Sequence, residues 1–152
     1  MAYMLLKWLH LLAVIVAFGA NLTYPIWLLR AARSPEALPF TLRVIKLIDD
    51  RVVNPAYGVL LLTGLPMAFT AHIPLSTPWL LVALTLYVLV MLIALVVYTL
   101  TLGRQIHHLE SEGWQSPGYQ AMDRRGKILG VILTLLVIAI LVLMVAKPVL
   151  WK

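Results

Sequence analysis

Residues 79–103 read WLLVALTLYVLVMLIALVVYTLTLG, twenty-five consecutive positions without a charged side chain. A bilayer core about 30 Å thick takes about 20 helical residues to cross. Inside hydrocarbon every backbone N–H and C=O must be satisfied within its own segment, so such a stretch is a helix. It is apolar on all sides, whereas a helix of a soluble bundle keeps one polar face. Three more uncharged runs follow the same rule, at residues 8–29, 52–71 and 128–146. The fold class is therefore all-α: a polytopic membrane protein with four transmembrane helices in an antiparallel bundle. One domain, 1–152, is expected, with helices at about 4–30, 53–72, 78–108 and 125–148.

Composition agrees. Of 152 residues, 62% are hydrophobic and 12% charged, with a mean hydropathy of +0.97. An ordinary soluble domain is about half apolar and about a quarter charged. A soluble globular enzyme, a disordered chain and a coiled coil are excluded. The absence of cysteine excludes disulfides, thiolate metal sites and a cysteine nucleophile. The first run resembles a signal peptide in having Lys7 ahead of it and Ala17-Phe18-Gly19-Ala20 within it. Its apolar stretch continues through Leu29, too long for a signal h-region, so it reads as a retained span.

The charges set the expected orientation. Nine of the twelve Lys and Arg residues lie in two segments: Arg30, Arg33, Arg43, Lys46 and Arg51 in the first, and Arg104, Arg124, Arg125 and Lys127 in the second. Lys7, Lys147 and Lys152 lie on the opposite side, and residues 72–78 carry no formal charge. The positive-inside rule places both basic segments in the cytoplasm and both termini outside, in a bacterial inner membrane. The net charge of +6 reads as topology and attraction to anionic lipid. Nucleic acid is not an expected partner, because no aromatic residues interleave with the basic ones. Residues 39–53 show helical spacing with one wet face, which predicts a short amphipathic interfacial helix in the first cytoplasmic loop. Within residues 104–127, Gly113, Pro117 and Gly118 read as breakers.

His10 is the one candidate for a charged group within the expected bilayer core, and an intramembrane ionisable residue is a functional candidate by default. Its face continues through Ala13, Ala17 and Asn21. Small residues at that spacing admit a second helix or a flat ligand. A neutral imidazole is a usual axial ligand of haem iron, and Lys7, three residues earlier, could meet a propionate. The plainer reading is a core histidine hydrogen-bonded to a neighbouring helix, with Lys7 snorkelling to headgroups. As further metal ligands, His72 and Met67 lie toward the same side. Each has a structural alternative, an exposed loop histidine and core packing. His107 and His108 lie a membrane thickness away and cannot share a metal with His10. Pro66, after Gly64, predicts a kink. Tyr3, Trp8, Trp79 and Trp151 form an outer aromatic belt, with Trp27 and Trp114 on the inner side. Asp49-Asp50 with Arg51 reads as a helix-end ion pair rather than a catalytic dyad. No Ser–His–Asp arrangement, phosphate loop or H-E-x-x-H motif is present.

Lys7-Trp8-Leu9-His10, Ala17-Phe18-Gly19-Ala20 and Tyr24-Pro25 resemble the first helix of the HemJ-type membrane protoporphyrinogen oxidases. Val145-Ala146-Lys147-Pro148 resembles their V-x-K-P ending. As a whole the chain is more similar to a bacterial family of predicted integral membrane proteins of unknown function, distantly related to HemJ and to the CopD copper-resistance membrane domain. The HemJ resemblance implies haem b at His10. The chain departs from that family at Trp79-Leu80-Leu81-Val82-Ala83, at Asp123-Arg124-Arg125-Gly126-Lys127 and at Pro25-Ile26-Trp27. Three functions follow as expectations. The first is a haem-b protein with a redox or electron-transfer role, with Lys7, Ala13 and Ala17 beside its ligand His10. The second is a HemJ-like oxidase. The third is a copper-handling or structural membrane protein in which Met4, His10, Met67 and His72 line an outer site. Expected partners are the lipid bilayer, a redox protein or quinone, and a second copy of the chain. Catalytic residues stay unassigned.

Overall fold

The structure is a computed structural model and describes residues 1–149, the Ala2 side chain excepted. Trp151 of the expected aromatic belt and Lys152 of the expected outer charges lie outside the described residues. Among the described residues all regular structure is helical, arranged as four rods. The first is α1 (Ala2–Ala31). The second joins α2 (Leu38–Ile48) to α3 (Asn54–Thr70) through a wide π turn at Asp49–Val53. The third joins α4 (Pro78–Leu92) to α5 (Thr99–Glu112) through a second π turn at Ile93–Tyr98. The fourth is α6 (Pro117–Ala146). Each rod is long and apolar enough to cross a membrane.

Local chemistry explains the boundaries. Pro55 has no N–H, and its ring would collide with a carbonyl one α-turn back. A π turn immediately before it absorbs the misfit and lets the rod continue. In the third rod the Thr99 hydroxyl donates to the Ala94 carbonyl, five residues back, at 3.1 Å. Gly113, with φ +86°, ends α5 in a conformation that L side chains resist. Ser116 then caps α6 by accepting from the Tyr119 N–H at 3.1 Å, with Pro117 in the first turn, a favoured start. The segment read from sequence as polar and broken is therefore a four-residue turn between two helices, and α6 begins at Pro117 rather than near 125. Pro25 and Pro66 lie inside continuous helices.

Four antiparallel rods bring residues 1 and 147 to one end, here the terminal end, with the turn at residues 71–77. The opposite, basic end carries the turns at 32–37 and 113–116. α1 packs on α3, α6 on α4 and α5, and α2 on α1 and α5. The amphipathic segment is thus a coaxial extension of the second rod, and the bundle itself covers its apolar face. Leu42, Ile45, Val53 and Val90 are fully buried, and the contiguous core runs from Ala17 and Tyr24 to Leu109 and Tyr119. Arg43 bridges the second and third rods through Glu110 at 2.6 Å. Large apolar side chains such as Ile15, Leu62, Leu92 and Leu135 face outward. In water they would drive aggregation, but in hydrocarbon they are the solvated surface.

Candidate functional site

Two polar places lie within the apolar rods. The first is His10. Its Nδ1 is 2.9 Å from the Thr63 hydroxyl oxygen. The single Thr63 proton goes to the Val59 carbonyl at 2.6 Å. Thr63 therefore accepts, and the imidazole carries its proton on Nδ1. The Nε2 lone pair has no partner among the described residues. The ring rests on Gly64, where a Cβ would come within 3.1 Å of His10 Cε1. The glycine is what lets the imidazole lie against the α3 backbone. Ala13 and Ala17 are buried, 7% and 3% exposed, on the α1 side that packs against α3. Small residues at that spacing serve a close helix contact here.

The other sequence candidates do not gather around His10. Lys7 is exposed and Met67 is half-buried. His72 is exposed and has a φ of +54°. It occupies the left-handed position that stops α3, where the Ile73 N–H bonds back to the Ala68 carbonyl at 3.0 Å. Among the described residues, no three His, Cys, Asp or Glu side chains converge on a metal position. His108 bonds Glu112 at 3.0 Å on its own helix.

The second place was not anticipated from sequence. A cavity of about 620 Å³ lies between α1 and α6, in the half nearer the basic end. These two helices touch only sparsely. Most of the lining is apolar, including Phe18, Leu22, Leu133 and Val137, and Trp114 and the Asp123–Lys127 ion pair line it too. Its polar lining includes Asn21, Tyr24, Asp49, Tyr57 and Tyr98. Asn21 donates to the Tyr57 hydroxyl at 2.9 Å, and the Tyr87 hydroxyl donates to the Tyr57 carbonyl. Asp49 is 4% exposed and Tyr24 5% exposed. The Tyr24 hydroxyl and Asn54 Oδ1 are buried without a hydrogen-bond partner. The side chains of Asn54 and Thr99 approach the Asp49 carboxyl, which places this polar group at the π turns of both rods.

The expected ion pair at Asp49-Asp50-Arg51 is thereby corrected. Asp50 pairs with Lys46 at 2.8 Å, and Asp49 turns inward. Its position was legible in the spacing, because Leu38, Leu42, Ile45 and Asp49 follow the 3–4 residue rhythm of one buried stripe. Tyr24 likewise continues the His10–Ala13–Ala17 face by seven residues, and Ala31 by seven more.

Four membrane-length rods with outward apolar side chains and an internal polar cluster define an integral membrane helical bundle. The family model described as "Predicted integral membrane protein (DUF2269)" matches residues 4–148, and the chain belongs to that family. No curated protein and no solved structure matches it.

Proposed function

We propose that this membrane protein binds a lipid-soluble ligand, taken up sideways between α1 and α6. The observation that carries the reading is the cavity of about 620 Å³, apolar in most of its lining and lined by Tyr24, whose buried hydroxyl lacks a partner. Its volume falls in the range of small-molecule sites, about 300–1,000 Å³, which combine apolar walls with a few placed polar groups. An unpartnered buried hydroxyl is a standing cost in an empty site and a source of affinity in a filled one. In the proposed orientation the basic end faces the cytoplasm of a bacterial cell, both termini face outward, and the ligand enters from the inner leaflet.

Gly130 lines the cavity, and a Cβ there meets nothing within 4 Å. Gly130→Trp is expected to fold and to block the cavity. Native mass spectrometry of the protein released from dodecyl maltoside, offered decylubiquinone or tetraphenylphosphonium, tests this. Retention of either by the wild type and neither by Gly130→Trp is the expected result. No retention by the wild type overturns the reading.

A second reading, haem b at His10, is favoured by the free Nε2 that Thr63 leaves on the ring. His10 would hold the iron, and the haem would supply one-electron redox chemistry. A Soret band in purified protein, lost in His10→Ala, is expected on this reading. A colourless protein from haem-replete cells rejects it.

A further inference from the structure

We infer that the occupant of the α1/α6 cavity is a lipophilic cation, an apolar body bearing an ammonium or similar positive centre, with Asp49 as its counter-charge. The inference rests on the ligand-binding reading above and names the ligand's class. Asp49 is 4% exposed and lines the cavity. Among the described residues no Lys, Arg or His comes within ion-pair distance of it. Lys46, on its own rod, is held by Asp50 at 2.8 Å. Lys127, the cation that lines the cavity, is held by Asp123 at 2.5 Å. A buried carboxylate without a positive partner is among the costliest groups a protein can hold.

The surroundings suit a cation. Tyr24, Tyr57 and Tyr98 line the same cavity as Asp49. Aromatic faces attract positive centres. The Tyr24 oxygen, which is unpartnered and belongs to a residue lining the cavity, is an acceptor that an N–H group of an ammonium can satisfy. An anion would meet Asp49 as a like charge, and a neutral quinone would leave it uncompensated. The apolar walls and the gap between α1 and α6 then require a body that travels in lipid.

The test uses the full chain in dodecyl maltoside, with equilibrium dialysis of radiolabelled tetraphenylphosphonium and of decylubiquinone as the neutral comparator. Saturable tetraphenylphosphonium binding is expected, at least tenfold weaker in Asp49→Asn and retained in Asp49→Glu. Equal binding by wild type and Asp49→Asn overturns the assignment of charge. So does binding of decylubiquinone without tetraphenylphosphonium, while the cavity reading survives. Binding of neither overturns both. The Asp49→Glu protein guards against misfolding, because loss in Asp49→Asn together with retention in Asp49→Glu reports charge. Added phosphatidylethanolamine distinguishes the source of the positive centre. Displacement assigns it to a lipid headgroup and no displacement to a free amine, and both support the cation site.

Discussion

Tyr24 and His10 share one face of α1 and differ in what their polar atoms meet. The His10 Nδ1 proton has the Thr63 oxygen at 2.9 Å, whereas the Tyr24 hydroxyl has no partner. Removing a partner from a buried donor costs about 1–3 kcal/mol. Thr63→Val should therefore destabilise the protein by that order, and Thr63→Ser should not, as read by thermal melting in detergent. Tyr24→Phe removes a hydroxyl that bonds to nothing, so the melting temperature is expected to hold or rise, and tetraphenylphosphonium, which has no N–H to donate, is expected to bind as it does to the wild type. A clear drop in melting temperature would show that the hydroxyl is bonded after all. His10, half-buried, was legible as an intramembrane polar residue because it interrupts an apolar run. Asp49 was less so, because its charged neighbours Lys46, Asp50 and Arg51 suggest a wet helix end, and only the 3–4 residue spacing from Leu38 marks it as inward.

The π turn before Pro55 sets the angular relation of α2 to α3. One residue more or fewer turns a helical face by about 100°. Pro55→Ala restores the missing N–H and removes the clash, so the turn can relax to an ordinary α-helix and rotate Asp49 away from the cavity. Tetraphenylphosphonium binding is expected to weaken as it does in Asp49→Asn, with helix content by circular dichroism unchanged. Unaltered binding would show that packing on α5, rather than the proline, holds the π turn. At the start of α6 the Ser116 cap is expected to contribute about 1 kcal/mol, seen as a lower melting temperature in Ser116→Ala. Arg43 and Glu110 are exposed, 65% and 41%, and such pairs contribute about 0–1 kcal/mol. Pro117 and Gly118 illustrate how the same residues read as breakers or as starters. A proline ends the helix before it and opens the one after it, and only the Ser116 cap decides between the two.

Across the whole molecule, the four rods place residues 33 and 115 at one end and residues 4 and 73 at the other. The chain has no cysteine, so single cysteines can be introduced without background. In intact cells, a membrane-impermeant maleimide is expected to label Met4→Cys and Ile73→Cys but not Arg33→Cys or Gln115→Cys. The reverse pattern would overturn the proposed orientation. Four spans, their lengths and the distribution of charge followed from sequence alone, because hydrocarbon imposes a length and forbids unpaired backbone whatever the neighbours are. Which helices press together and which part is a different matter. α1 and α6 lie at opposite ends of the chain, and the cavity between them, with Asp49 and Tyr24 turned into it, exists only after α1 has closed on α3 and α6 on α4 and α5. Helix pairing in lipid rests on shape and close contact rather than on hydrophobic pattern, and such fit between distant segments is decided only when they meet.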